Sequence, residues 1–382
     1  MTEREVNFEV VTSNQRLKEI LDAQSGSAAY AIDTEFLQNK TYFARLALVQ
    51  IGWPDFIALV DPFSVDGALL QGLFASDALA IAHAGSNDWP LLHEFVGTIP
   101  ARVFDTEIAA QFLGLPSTSL QSLISHYFDI EVDKSEQVRD WTVRPLPEKA
   151  LAYAATDVLH LFDLTSELSS DLEVRGLLSA AYEETAFQLA SLGDTDPQTF
   201  WWRVKELQRA GDREKLVGQF LFNARDQIAR DLNLPRNWVI AEEELAELAK
   251  RPPTTIAELA KRTNATKLEQ QDVALLWETL ASALAAPLEE LWPADADVTQ
   301  GPEGVVLSVA KLYVRYRAHQ LNLSANFLAS HRDLVKFFRN TPSRLDLEWR
   351  REVLTNDLAL LRAGTGALQV TNGQLVLTRT AD

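Results

Sequence analysis

The 382-residue chain has no cysteine and a single methionine. Without thiols there is no disulfide framework, no thiolate-held metal centre and no cysteine nucleophile. Any metal must therefore be held by oxygen or by one of six histidines. Those histidines are scattered and never show H-E-x-x-H spacing, which argues against a zinc hydrolase. Also missing are a G-x-S-x-G elbow, a P-loop and a G-x-G-x-x-G phosphate loop. No apolar run reaches the roughly 18 to 20 residues of a membrane-spanning helix. The opening "MTEREVNFEV" lacks the basic-then-apolar build of a secretory signal. A cytoplasmic location with no membrane partner is the resulting expectation.

Positive charge is scarce in one half. The net charge is −19, and residues 1–200 carry 11 Lys and Arg against 30 Asp and Glu, whereas the remainder carries 24 of each. Averaged, this composition disfavours a nucleic-acid partner, because phosphate binding is driven by Lys and Arg. Divided, it describes an acidic lobe joined to a neutral, locally basic one. A metal-binding catalytic unit beside a polyanion-gripping unit accounts for the split, and so does a well-solvated acidic surface. The 47% apolar and 23% charged content fits a globular chain. At about 100 to 200 residues per domain the length predicts two or three.

From residue 29 the sequence reads as three strands, "YAIDTEF", "ARLALVQIGW" and "DFIALVDP", the last two separated by a Pro-Asp turn. Helical and strand-like pieces then alternate: "GALLQGLFAS" helical, "ALAIAHAG" a buried strand, "NDWPLLHEFV" helical, "ARVFDT" a strand, then "EIAAQFLGL" and "SLQSLISHYF". That order predicts an α/β or α+β layered domain with a mixed sheet. The polar stretch "DIEVDKSEQVRDWTVRPL" precedes one long helix, "PEKALAYAATDVLHLFDLTSEL". Beyond about residue 200 strand signals nearly vanish. Boundaries fall at "SLGDTDPQ" (191–198) and in "APLEELWPADADVTQGPEG" (286–304). A shift of 89 residues sets "NLPRNWVIAEEELAELAKRPP" on "NLSANFLASHRDLVKFFRNTP", with Asn233, Leu234, Asn237, Leu245 and Pro253 matching Asn322, Leu323, Asn326, Leu334 and Pro342. The preceding amphipathic helices align too, so the second half reads as two copies of one small helical domain.

Side chains i and i+2 of a strand share a face, so Asp33 and Glu35 point the same way. Like charges side by side are costly unless a cation neutralises them, and oxygen ligands suit a hard ion such as Mg²⁺ or Mn²⁺. The pair alone leaves an exposed sheet face as the other reading. Tyr153 and Asp157, four apart, lie on one face of an otherwise apolar helix. Asp88 falls in a first helical turn, where an acid is favoured for capping alone. The second DTE, at 105–107, suits the cap of "EIAAQFL". In the polar stretch, Lys134, Arg139, Trp141 and Arg144 form a basic and aromatic mixture that could contact phosphates and stack a base, or pin a structural loop.

Taken in order, "AIDTEF", "HAGSNDWPLL", "DKSEQVRDWTVRPL" and "YAATDVLHLFDL" resemble the tyrosine-containing branch of the DEDD 3′→5′ exonucleases, and most closely the ribonuclease D family. "ARDQIARDLNLPRNWVI" resembles the HRDC (helicase and RNase D C-terminal) domain that this family carries in two copies. The resemblance implies an RNase H-like α/β exonuclease core, a mixed sheet flanked by helices, over residues 1–195. Two all-α HRDC-type domains, 201–285 and a divergent 303–382, would follow. It implies two divalent ions, Mg²⁺ or Mn²⁺, held by Asp33, Glu35, Asp88 and Asp157, with Tyr153 orienting the attacking water. A tyrosine hydroxyl near its ordinary pKa of about 10 stays protonated at neutral pH and suits that positioning role. The second DTE matches a non-ligand position. The implied activity is 3′→5′ exoribonucleolytic release of nucleoside 5′-monophosphates, with tRNA precursors and other structured RNAs as substrates. No obligate protein partner is implied. "KLYVRYRAHQ" and "HRDLVKFFRN", basic and aromatic, are the expected grip on the RNA body. A DNA exonuclease of the proofreading kind and a binding module that has lost turnover are the competing readings.

Overall fold

A computed structural model describes residues 7–38, 40–131, 139–192, 204–263, 268–292 and 301–379. The chain divides into two compact units, one of residues 1–36, 46–192 and 298–382, the other of residues 37–45 and 193–297.

The first unit is built on a six-stranded sheet ordered β1-β4-β3-β2-β5-β6. Its strands are β1 (Phe8–Val11), β2 (Ala29–Leu37), β3 (Arg45–Trp53), β4 (Phe56–Val60), β5 (Leu79–Ala82) and β6 (Val103–Asp105). β1 runs parallel to β4, β3 antiparallel to β4, and β2, β5 and β6 parallel in register, so the sheet is mixed as expected. Its helices are α1 (Asn14–Ala23), α2 (Gln71–Phe74), α3 (Asp88–Val96), α4 (Thr106–Phe112), α5 (Leu120–Phe128), α6 (Glu148–Leu159), α7 (Leu161–Val174) and α8 (Leu178–Ala190). Val11, Leu17, Ile32, Val49 and Val60 face one apolar layer, while Ala31, Leu48, Leu59, Ala154 and Leu164 face another. Along β2, β4, β5 and β6 buried residues alternate between the layers, as a two-sided sheet demands.

The single long helix expected at 147–168 is two. His160 (φ −96°, ψ −1°) separates α6 from α7. Split, α6 buries Ala150, Ala154, Ala155 and Val158, and α7 buries Leu161, Leu164, Leu168 and Leu172.

In the second unit, α9 (Lys205–Gln208), α10 (Asp212–Asp231), α11 (Arg236–Val239), α12 (Glu242–Lys250), α13 (Ile256–Arg262) and α14 (Gln270–Ala285) enclose a core of Val217, Leu221, Leu245, Leu248, Leu276 and Leu280. The loop 37–45, which joins β2 to β3, groups with this unit. The Tyr42 hydroxyl donates to Asp226 Oδ1 (3.0 Å) and accepts from Arg230 Nε and Arg236 Nη2 (both 2.8 Å).

The C-terminal helices are α15 (Gly301–Leu321), α16 (Ala325–Leu328), α17 (His331–Phe338), α18 (Glu348–Arg350) and α19 (Asn356–Ala363), with a π-turn at Arg351–Thr355 before α19. Shifting by 89 residues carries α10 onto α15, α11 onto α16 and α12 onto α17. It also carries Asn233 (φ 49°) onto Asn322 (φ 55°), both left-handed. The repeat read from sequence is thus repeated architecture. Its second copy groups with the sheet and shares the apolar layer of α7: Phe112 of α4 meets Phe327 (4.9 Å) and Trp349 (4.7 Å) edge-on. Arg350 and Glu184 of α8, both fully buried, form an ion pair there.

A further element was not expected in an all-helical tail. β7 (Gly366–Thr371) and β8 (Gln374–Arg379) form an antiparallel hairpin. Its turn is Asn372 (φ 52°) and Gly373 (φ 76°), the left-handed pair that a two-residue type I′ turn requires.

Candidate active site

β2 enters the protein fully buried at Tyr30, Ala31 and Ile32 and then becomes half-buried at Asp33 and Glu35. Its ladder with β5 covers only Ala29–Ala31, so on that side the two acids lie beyond the last residue paired with β5. That is the carboxyl-end crevice where open α/β sheets place their sites. β5 ends at Ala82, and the chain turns through Ala84 (φ 55°) and a 3₁₀ turn, Gly85–Asn87, to open α3 with Asp88. Gly85 is required there, because a Cβ would lie 2.7 Å from the Trp89 ring.

Asp105 secures that turn. Its carboxylate accepts from Glu107 N (2.8 Å) and Ile108 N (3.4 Å) as the cap of α4, and also from Ala84 N and Gly85 N (both 3.0 Å). The second DTE is therefore a cap, as its position suggested, and it also fixes the backbone that presents Asp88. His83, half-buried just past the end of β5, bonds Thr106 Oγ1 through Nδ1 at 2.9 Å. Thr34, between the two acids of β2, donates its hydroxyl to Asp88. Sequence reading passed over Thr34, since strand alternation turns it to the other face.

Asp157 is 7% exposed on α6, which lays Val158 against Gly52 of β3. Tyr153, half-buried, stands one turn before it. Electrostatics ties the four carboxyl groups together. Asp33 is held well above the carboxylate range by burial and then by the charges of Asp88, Asp157 and Glu35. Burial and the charges of Asp157 and Asp88 lift Glu35 to about 9. Burial raises Asp157 to about 7 and Asp88 to about 6, the latter against the Thr34 hydrogen bond. Four carboxyl groups whose charged forms are disfavoured by burial are the kind of oxygen donor set that a hard divalent cation stabilises. Among the described residues no three His, Asp or Glu side chains already converge into a closed ligand shell. In chemistry the donors fit such an ion, and their side chains must close on it.

The basic and aromatic group behaves otherwise. Lys134 lies outside the described residues, and Arg139 is half-buried. Trp141 is 1% exposed, so it offers no face to a base; it packs on Tyr153 instead. Arg144 spends its guanidinium on Asp61 and three carbonyls. Of the aromatics in the two C-terminal stretches, Tyr313 (5% exposed) and Phe337 (8%) are core, and Tyr316 and Phe338 are half-buried against it. Arg315, Arg332 and Arg339 are left to face solvent.

The sequence profile of a 3′-5′ exonuclease family matches residues 8–173, and that of the HRDC domain matches 217–271. Ribonuclease D of Xanthomonas oryzae pv. oryzae is 32% identical over 337 residues, 86% of this chain and 91% of that protein. The chain belongs to the ribonuclease D family. Escherichia coli ribonuclease D is 31% identical over 258 residues, 66% of this chain and 69% of its own. The crystal structure of E. coli RNase D, described as an exoribonuclease involved in structured RNA processing, superposes with a TM-score of 0.82 at 26% identity. The match covers 94% of this chain and 99% of that one. With its exonuclease domain and ribonuclease D membership the protein is a 3′→5′ exoribonuclease. Its mixed-sheet core followed by helical C-terminal segments is the ribonuclease D architecture.

Proposed function

We propose that this ribonuclease D removes nucleoside 5′-monophosphates one at a time from the 3′ ends of structured RNAs, tRNA precursors among them, using two divalent ions, Mg²⁺ or Mn²⁺. One observation carries the reading. Asp33 and Glu35 on β2, Asp88 at the start of α3 and Asp157 on α6 are each held by burial above the ordinary ionisation range of a carboxyl group, and at Asp33 and Glu35 the charges of Asp88 and Asp157 add repulsion to it. The ions would offset that repulsion, supply a low-pKa water and stabilise the attacking and leaving oxygens of an in-line displacement. Thr34 keeps Asp88 turned toward β2. Tyr153 acts through its hydroxyl, orienting the attacking water as a hydrogen-bond partner. Ala31, Ile32, Ala154 and Ala155, which flank these residues in sequence, are all buried.

Residues 1–195, 201–285 and 303–382 are proposed as the exonuclease and two HRDC-type domains, a division supported by the 89-residue coincidence of elements. Among the described residues no helix is long and apolar enough to cross a membrane.

The test uses the full-length protein and a 5′-labelled hairpin RNA with a single-stranded 3′ trailer. Stepwise shortening with Mg²⁺ or Mn²⁺, mononucleotide products and silence in EDTA are expected. A trailer left intact with either ion, or a matched DNA trailer degraded faster, would sink the proposal.

A further inference from the structure

The chemistry proposed above makes no use of residues 140–145, D-W-T-V-R-P, between α5 and α6. Yet Arg144 is among the most heavily engaged side chains of the first unit. Its Nε and Nη2 grip both carboxylate oxygens of Asp61, just past β4, at 2.8 and 3.0 Å. Nη2 donates also to Ala47 O of β3 (2.6 Å), and Nη1 to Trp141 O (2.7 Å) and Val143 O (3.1 Å). The guanidinium lies 4.7 Å over the Phe63 ring. Only a planar fork serves a carboxylate and several carbonyls at once. Asp140 closes the turn by accepting from Thr142 N (3.1 Å) and Thr142 Oγ1 (2.5 Å). The backbone on both sides of Trp141 is thereby fastened to the sheet.

Trp141 itself is buried, its ring 6.2 Å from that of Tyr153 at an interplanar angle of 35°. Its indole N–H finds no acceptor among the described residues. A buried donor without an acceptor is a cost that a smaller phenyl ring would avoid, so the indole serves by its shape. A half-buried tyrosine on a helix has more than one staggered rotamer open to it. A large rigid ring held against one side removes the alternatives.

We infer that Trp141 is a positioning residue for Tyr153: the Asp61–Arg144 pin holds the indole against the tyrosine ring and fixes the rotamer that presents its hydroxyl one turn from Asp157. The inference rests on the reading of Tyr153 as the residue that orients the attacking water. Misplacing such a group by about 1 Å costs up to about a hundredfold in rate.

The experiment is a double-mutant cycle on the full-length protein with Trp141→Phe, Tyr153→Phe and the pair. It reads kcat, KM and thermal unfolding on a 5′-labelled oligoribonucleotide with Mg²⁺. Trp141→Phe is expected to lower kcat about ten- to hundredfold with KM unchanged, and to add no further loss in the Tyr153→Phe background. Arg144→Lys should show the same pattern from the other end of the pin, and it carries the cycle should Trp141→Phe not fold. Equal fold losses in both backgrounds make Trp141 a general packing residue and overturn the inference. So does full activity of both Trp141→Phe and Arg144→Lys beside an impaired Tyr153→Phe. Should Tyr153→Phe itself keep the full rate, the reading of Tyr153 fails and the inference fails with it; the cycle reports that case separately.

Discussion

Stripping divalent ions from the protein should make its stability fall as pH rises, because the carboxylate cluster is held together at the expense of its charge. Asp157 carries the clearest magnitude. It is 7% exposed, and burial lifts it from 3.8 to about 7. Between about pH 4 and 7 the native state keeps a proton on Asp157 that the unfolded chain has already lost. Stability therefore declines as pH rises through that window, and Glu35 extends the decline toward about 9. A rise of about 3 pKa units corresponds to about 4 kcal/mol, an upper bound because a charged side chain turns and admits water. With half of it realised, about 2 kcal/mol, the melting temperature moves by about 4 to 8 °C for a unit of this size. The assay is calorimetric unfolding of wild type and Asp157→Asn from pH 4.5 to 8.5, in EDTA and in Mn²⁺. In EDTA the asparagine variant should melt above wild type at high pH, with the gap closing toward low pH. Mn²⁺ should raise wild type far more than the variant. A gap independent of pH, or equal Mn²⁺ effects on the two proteins, refutes the reasoning.

Asp33→Asn and Asp157→Asn should each cut kcat at least a thousandfold while retaining the fold, measured by release of labelled mononucleotides and by circular dichroism; near-normal turnover would remove them from the site. Asp105→Ala should lose a helix cap worth about 1 to 2 kcal/mol and also activity, because it frees the turn that presents Asp88, while Asp105→Asn should keep most of both. Glu184→Ala, which leaves Arg350 buried without its partner, should destabilise the first unit by about 3 to 5 kcal/mol in denaturant titration, and a loss below about 1 kcal/mol would show that the pair is dispensable.

Much of the catalytic layer was legible because its signals are local. β2 to β6 are apolar runs bounded by turns; Asp33 and Glu35 stand on β2, Asp88 opens the helix that follows β5, and Asp157 lies on the apolar helix α6. β1, with Glu9 inside "FEVV", reads as polar because an edge strand need bury only one face. The break at His160 has no local mark in the sequence, where the apolar pattern runs on from Val158 to Leu164. The β7–β8 hairpin did have a local mark, Asn372-Gly373 between alternating apolar residues, which the helical context overshadowed. Trp141 and Arg144 show the harder case. A tryptophan between basic residues looks alike whether it greets RNA or is buried. What decides is Asp61, 83 positions away, which pins Arg144 and turns the indole inward.

The two helical repeats show how one scaffold takes two attachments. In the first copy Asp226, Arg230 and Arg236 gather around the hydroxyl of Tyr42, on the loop that leaves β2. The shift of 89 residues puts Arg315, His319 and Ala325 at those positions, so the second copy cannot form that knot. The substitution runs the other way elsewhere. Exposed Lys261 in the first copy corresponds to Arg350, fully buried in the second, where it pairs with Glu184 and donates to Leu328 O and Phe327 O at 2.9 Å. A lysine could not replace it, since a single ammonium cannot reach a carboxylate and two carbonyls in the directions a guanidinium does. Burying a charge is costly unless every hydrogen bond is met, so this exchange commits the second copy to α8. In the first copy Lys261 stays exposed, and the buried polar partners are instead those that Asp226, Arg230 and Arg236 make with Tyr42.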